Sequence, residues 1–284
     1  MQLNTAQKIK IAQLASSCVL LARRLTGRGT TATVQRGGVR WQLDLTEGID
    51  FSIYLLGAFE PSTVRAYSRI ITPGTTIVDV GANVGAHTLF LARLCGASGR
   101  VIAFEPTQYA FNKLRRNVEL NPDIAGRVSC QQVMLVATAN SAVEQAIYSS
   151  WPLQNSVNSE LHAEHKGRLM ATAGATAETL DGALQRLGVH KVAFVKLDVD
   201  GYEAEVLEGA RHTFTRDRPD ILMELAPFVF RDNMEKFVFM LNFFWALGYR
   251  LTDLSSGKIL PENVQEVIHL IPENGGINVL GRAS

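Results

Sequence analysis

The stretch Thr76–Thr88, Thr-Ile-Val-Asp-Val-Gly-Ala-Asn-Val-Gly-Ala-His-Thr, restricts the fold more than any other part of the chain. Ile77–Val80 is a short run rich in β-branched residues and reads as a buried strand. Gly81-Ala82-Asn83-Val84-Gly85 follows as a tight turn, and Thr88–Leu94 then has helical spacing. Strand, glycine turn and helix in that order form the front edge of a nucleotide-binding α/β domain. Gly81 and Gly85 let backbone approach a ligand, and the helix opening at Thr88 adds free N–H donors.

The details argue against a dinucleotide. A pyrophosphate loop reads Gly-x-Gly-x-x-Gly, but the middle glycine position here is Asn83, the residue type that best tolerates positive φ after glycine. Asp79 lies in the strand itself, and no Lys or Arg stands between it and Arg93, so a phosphate cradle is missing. A carboxylate in that place suits a ligand carrying positive charge. Val101–Pro106 reads as the second strand, ending at Glu105, roughly 20 residues beyond the turn, where an acid can accept both hydroxyls of a ribose. A ribose with a cationic tail and no phosphate describes S-adenosylmethionine.

Three motifs, Val78–Gly85, Phe104-Glu105-Pro106 and Val195-Lys196-Leu197-Asp198-Val199-Asp200-Gly201-Tyr202-Glu203, together resemble the FkbM family of S-adenosylmethionine-dependent methyltransferases, over roughly Ile71 to Leu225. The resemblance implies a class I, Rossmann-like α/β fold, a mostly parallel sheet with helices on both faces. It implies S-adenosylmethionine as cofactor, with Asp79 toward the methionine end, Glu105 on the ribose, and Gly81, Asn83, Gly85, Thr88 and Pro106 framing the pocket. It would set the adenine against the end of a third strand, Val128–Ala137, where Val136-Ala137-Thr138 lacks the acid that often meets the adenine amino group. Family precedent points to hydroxyls on sugars or secondary metabolites as acceptors.

Asp79, Glu105, Asp198 and Glu224 all fall at or beside strand ends, the places where open α/β sheets bind ligands. Acids inside apolar strands are costly unless they meet a partner. Lys196, Asp198 and Glu203 are the candidate catalytic set on the acceptor side. Methyl transfer is an in-line displacement, so alignment dominates, and an alcohol acceptor must also lose a proton. Asp198 is the candidate base, Lys196 holds it ionised or orients the acceptor, and Glu203 lies in the first turn of the next helix. A Mg²⁺ variant, with Asp198 and Glu224 as ligands, is not favoured because no third ligand stands out. N-methylation, a dinucleotide-dependent oxidoreductase and a non-catalytic binding module are the competing readings. The Asn/Asp-Pro-Pro-aromatic signature of nucleic-acid base methylation is absent after the fourth strand.

At 284 residues and 46% hydrophobic content, one large α/β domain fits best, with residues 1–70 as a helix-and-hairpin extension and 71–284 as the cofactor-binding domain. A net charge of +1 without an extended basic run gives no electrostatic case for nucleic acid. Cys18, Cys95 and Cys130 are scattered and odd in number, which fits a reducing cytoplasm. Ile11–Ala22 is too short and too polar to span a bilayer. It reads as an amphipathic helix whose Ile11, Leu14, Cys18 and Leu21 face packs on this domain or a sister subunit, a membrane surface being the lesser alternative.

Thr33–Leu45 alternates as a hairpin around Gly37-Gly38. Asp50 and Tyr54 are assigned structural roles. Ser149–Gly167 reads as a long polar loop carrying Trp151, Asn155, Asn158, His162 and His165, the two histidines lacking a third zinc ligand. Later strands are expected at Val192–Leu197 and Ile221–Leu225, with closing antiparallel strands at Tyr249–Leu254, Lys258–Leu260 and Ile277–Leu280.

Overall fold

The computed structural model describes residues 5–149, 152–153 and 167–284, with side chains from Ala12 onward. The chain begins with α1 (Thr5–Leu25), the hairpin β1 (Thr31–Arg36) and β2 (Val39–Asp44), then α2 (Gly48–Leu56) and α3 (Pro61–Tyr67). The first half of the central sheet follows: β3 (Thr76–Val80), α4 (Thr88–Leu94), β4 (Arg100–Phe104), α5 (Gln108–Glu119), α6 (Pro122–Ala125) and β5 (Val128–Gln131). Short strands β6 (Val133–Leu135), β7 (Ala146–Ser149), β8 (Arg168–Ala171) and β9 (Thr176–Glu178) lead to α7 (Leu180–Arg186). The last part is β10 (Phe194–Leu197), α8 (Glu203–Glu208), α9 (Arg211–Asp217), β11 (Asp220–Leu225), a 3₁₀ turn over Pro227–Asn233, α10 (Met234–Ala246), β12 (Tyr249–Asp253), α11 (Val264–Leu270) and β13 (Ile277–Ala283).

Seven strands form the central sheet in the order β12-β13-β11-β10-β3-β4-β5. Five are parallel, and β13 enters antiparallel between β11 and β12. The strand order reverses between β3 and β10, the switch point at which such sheets open a crevice. Helices cover both faces, as the Rossmann-like class I expectation requires. Alternation along the strands divides the core. Val78, Val80, Val195, Leu197, Ile221 and Met223 pack with α7, α8 and α10 on one face. Ile77, Val101, Ala103, Phe194 and Leu222 pack on the other against Trp41, Leu43, Phe51 and Tyr67. Residues 31–67 therefore share one apolar cluster with the sheet.

The hairpin forms as its pattern predicts: Val39, Trp41, Leu43 and Leu45 are buried, and Trp41 donates its ring N–H to Arg36 O at 3.1 Å. Asp50, fully buried, accepts the Asp44 N–H at 2.6 Å and pairs with Lys113, tying α2 to β2 and α5. Tyr54 stacks under Arg36, whose guanidinium stands 5.5 Å from the ring.

Three expectations are corrected. Val128–Ala137 is two strands: β5 closes the sheet edge, and beyond Gln132 the chain turns away so that β6 pairs in parallel with β9. Lys258–Leu260 makes only an isolated bridge, Thr252 to Ile259, and no strand. The packing face of α1 is also reversed. Ala12, Ala15, Val19 and Leu20 meet the body, and Ser16 donates its hydroxyl to Leu45 O at 2.9 Å, whereas Leu14, Cys18 and Leu21 face solvent. Small side chains let the helix approach closely on the Ser16 side. Trp151, Asn155, Asn158, His162 and His165 lie outside the described residues.

Candidate active site

Register brings the strand-end residues together. Asp79 on β3 is the lateral partner of Lys196 on β10, and Lys196 that of Leu222 on β11. The period-2 rule then puts Asp79, Lys196, Asp198 and Glu224 on the sheet face covered by the N-terminal layer. Lys196 Nζ stands 3.0 Å from Asp198 Oδ2, 3.9 Å from Asp79 Oδ1 and 3.4 Å from Gly81 O. This one buried ammonium therefore joins the loop after β3 to the opposite strand end. Burial alone would lower its pKa, but Asp198 and Asp79 outweigh burial and push it up to about 12. Burial likewise works to raise Asp198, yet the Lys196 ammonium wins and holds that carboxyl below its ordinary range.

Asp79 is sealed, with no solvent exposure. Its Oδ2 accepts the Thr88 hydroxyl at 2.6 Å, while Oδ1 has no hydrogen bond. Burial raises its pKa, opposed by Lys196 and Thr88. Asn83 takes positive φ (49°), as its residue type allows, and donates its N–H to Glu105 Oε2 at 2.9 Å. Glu105 Oε1 accepts the N–H of Thr107 at 2.9 Å and its hydroxyl. Burial raises the pKa of Glu105, against those donors. Pro106 follows, half-buried, before α5.

The glycines also serve the protein's own packing. A Cβ on Gly81 (φ 77°) would lie 1.8 Å from Asp198 O, so its missing side chain admits the backbone of the neighbouring strand end. A Cβ on Gly85 (φ 90°) would come within 3.0 Å of Leu114 Cδ1, where α5 packs. Close approach is needed at both, but to protein atoms.

Glu203 is buried and turned inward: Oε1 accepts the Val199 N–H at 3.2 Å and Oε2 the Gly201 N–H at 3.0 Å. It braces the loop after β10, where Asp200 (φ 49°) and Gly201 (φ 108°) are both left-handed. Burial raises Glu203 to about 7. Glu224 at the end of β11 keeps solvent access, and its pKa is raised first by desolvation of its carboxyl and then by Asp198 and Glu60.

Two residues here escaped sequence reasoning. Glu60 adopts φ 45° ahead of α3, and its Oε2 accepts the Thr63 hydroxyl at 3.0 Å. Asn278, opposite Glu224 in the β11–β13 register, contacts Thr63 Oγ1 at 3.4 Å, so Glu60 joins Glu224 and Asp198 along one edge. Burial and Asp198 raise its pKa. No motif marks Glu60; only the fold of the N-terminal layer delivers it. His87 lies under the loop with Nδ1 3.3 Å from the Tyr67 hydroxyl and Nε2 unpartnered; burial pushes its pKa down to about 3, so the ring is neutral.

The site therefore presents Glu60, Asp79, Glu105, Asp198 and Glu224 with Lys196 as the cation among them. A sequence family described as the methyltransferase FkbM domain matches residues 79–251. The chain belongs to that family. Relatives include methyltransferase sdnD of Sordaria araneosa, 29% identical over 160 residues, covering 47% of this chain and 59% of that protein. Hexuronic acid methyltransferase AglP of Haloferax volcanii is 28% identical over 153 residues, covering 53% and 56%. An rRNA methyltransferase of Streptomyces thermotolerans is 33% identical over 107 residues, covering 37% and 33%. The chain thus spans little more than half the length of the first two, and a third of the last.

The residues present fit the cofactor that FkbM methyltransferases use. The donor set is acidic and lacks a phosphate cradle, and Asp79 Oδ1 is a buried oxygen without a hydrogen-bond partner. Glu105 accepts three hydrogen bonds, which leaves one of a carboxylate's roughly four lone-pair sites for a ribose hydroxyl. Among the described residues, no three His, Cys, Asp or Glu side chains converge as a metal site, so Asp198 and Glu224 gain no third ligand from them.

Proposed function

We propose that this chain is an S-adenosylmethionine-dependent O-methyltransferase acting on a small hydroxylated acceptor, sugar-like or a secondary metabolite. The observation that carries the reading is the line Glu105–Asp79–Lys196–Asp198 along adjacent strand ends, acidic toward the cofactor and held by one buried ammonium. When bound, the cofactor supplies an electrophilic methyl on a sulfonium. Glu105 would hold its ribose, and the loop Gly81–Gly85 with Pro106 would border it. Asp79 would set the loop and the local negative potential.

Asp198, kept ionised by Lys196, would accept a hydrogen bond from the acceptor hydroxyl and hold its oxygen in line with the methyl. A carboxylate whose pKa is lowered is a weak base. Glu60 and Glu224, whose pKa values are raised, are better placed to take the proton released as the C–O bond forms and the C–S bond breaks. Glu203 would act through the loop it braces. The name of AglP, a hexuronic acid methyltransferase, supports a sugar-like acceptor. The acid-rich wall equally favours an amine, so an acceptor panel should contain both.

The test is calorimetric titration with S-adenosylhomocysteine on wild type and Glu105→Ala, followed by product detection across hydroxylated sugars and amines. Micromolar binding that the variant loses supports the reading. No binding of S-adenosylhomocysteine, with NAD binding instead, overturns it.

A further inference from the structure

The N-terminal 43 residues have a composition unlike the rest. No Asp or Glu precedes Asp44, whereas Lys8, Lys10, Arg23, Arg24, Arg28, Arg36 and Arg40 do. The net charge of +1 is therefore the difference between +7 before Asp44 and −6 from Asp44 onward. This segment also carries the three most regularly spaced of the large apolar side chains that the fold leaves exposed. Leu14, Leu21 and Leu25 on α1 are 71%, 60% and 80% exposed, and Cys18 between them is exposed too. They recur at intervals of four, three and four, one stripe along the helix. The helix is fixed to the body by its opposite side, through Ser16 to Leu45 O and Arg23 to Gly29 O and Thr31 O at 2.9 and 2.8 Å. The stripe is thus held outward. Leu55 and Leu56, at the end of the α2 helix that packs with α1, are 56% and 63% exposed.

We infer that α1 docks this protein on an anionic lipid surface, lying in the plane of the interface. Charge complementarity selects that occupant. A second copy of the chain would set the same acid-free, basic helix against itself in either orientation. A lipid surface bearing negative headgroups takes the leucine stripe into the acyl boundary and meets Arg24 and Arg28, both exposed at the C-terminal end, with phosphate. The geometry suits lying on a membrane and not crossing it: among the described residues no helix is long and apolar enough to span a bilayer. A nucleic acid would satisfy the charge but leave the leucines in water.

The test is co-sedimentation of the whole chain with phosphatidylcholine vesicles and with phosphatidylcholine/phosphatidylglycerol vesicles. Binding should be at least about tenfold tighter to the anionic vesicles and weaken in salt. Two variants separate the contributions, Leu14→Ser/Leu21→Ser/Leu25→Ser for the stripe and Arg24→Glu/Arg28→Glu for the charges. Each should lose about tenfold or more while the far-UV circular dichroism melt stays that of wild type. All substituted residues are exposed, so a folding defect is not expected, and the charge variant stands even if the leucine variant misfolds. Equal binding to both vesicle types, or anionic binding that survives both variants, overturns the inference. So does a dimer in light scattering that the leucine variant dissolves, or a gel shift of structured RNA by a protein that ignores the vesicles.

Discussion

Replacing Lys196 by Met removes the cation that Asp79, Asp198 and the Gly81 carbonyl share, at nearly constant side-chain volume. Asp79, without solvent exposure, would lose its nearest positive charge, and Asp198, one-third exposed, its direct ion pair. Removing one partner of a buried pair costs about 3–5 kcal/mol, and the partial solvation of Asp198 argues for the lower end, about 3 kcal/mol. At about 2–4 °C per kcal/mol for a chain of this size, the melting temperature should fall by about 6–12 °C near neutral pH. The deficit must also depend on pH. Wild-type Lys196, raised to about 12 from 10.5, gives stability that is fully present below 10.5 and lost as pH rises through 12. In the variant, two carboxyls left without a cation acquire raised pKa values, and protonation relieves them, so the deficit shrinks toward about pH 4. Lys196→Met/Asp198→Asn should recover part of the loss. Differential scanning fluorimetry across pH measures all of this. A single variant melting within about 2 °C of wild type, or a deficit as large at pH 4 as at pH 8, would refute the shared-cation account.

Other perturbations have equally definite outcomes. Gly81→Ala would drive a methyl into Asp198 O at a positive-φ position, so it should lower the melting temperature and weaken S-adenosylhomocysteine binding at least about tenfold, read by calorimetry. Glu105→Gln leaves the Asn83 and Thr107 donors competing for one oxygen and takes from the ribose hydroxyl its hydrogen bond to a charged group; at about 1.5–3 kcal/mol for such a bond, S-adenosylhomocysteine affinity should drop about 10- to 150-fold. A drop under threefold would exclude Glu105 as the ribose anchor. Glu224, raised to about 8 from 4.5, gives stability present below 4.5 and lost as pH rises through 8. Glu224→Gln should therefore melt with wild type at acidic pH and above it at alkaline pH, modestly because the group is solvent-accessible. Asp50→Ala strands Lys113 and the Asp44 N–H, and urea denaturation should show a loss of about 3 kcal/mol.

Much of this architecture is local and therefore legible. The β-branched strand, glycine turn and helix of Thr76–Leu94 declare themselves within one window, as does the alternation of Val39, Trp41, Leu43 and Leu45. Thr179 is readable as a cap because its side chain answers the Gly182 N–H three residues on. The same signal stands at Asn263, whose side chain accepts the Glu266 N–H at the start of α11. What escaped depends on distant neighbours. The solvent-facing orientation of the α1 stripe is decided by Leu45, 29 residues from Ser16. Glu60 becomes a site residue only because Asn278, on the last strand, reaches Thr63. The glycine spacing was readable, but not that a carbonyl from β10 would fill the place of the Gly81 side chain.

That last contact bears on how such a site can diversify. The loop after β3 and the loop after β10 meet where Gly81 faces the Asp198 main-chain oxygen, with the Val199 side chain and Lys196 Nζ beside that contact. Tyr202 on the same loop turns elsewhere, its hydroxyl donating to Glu144 Oε2 at 2.7 Å. A contact made by main-chain atoms constrains the path of the β10 loop and the identity of Gly81, while side chains such as Tyr202 that point away from it are free to change.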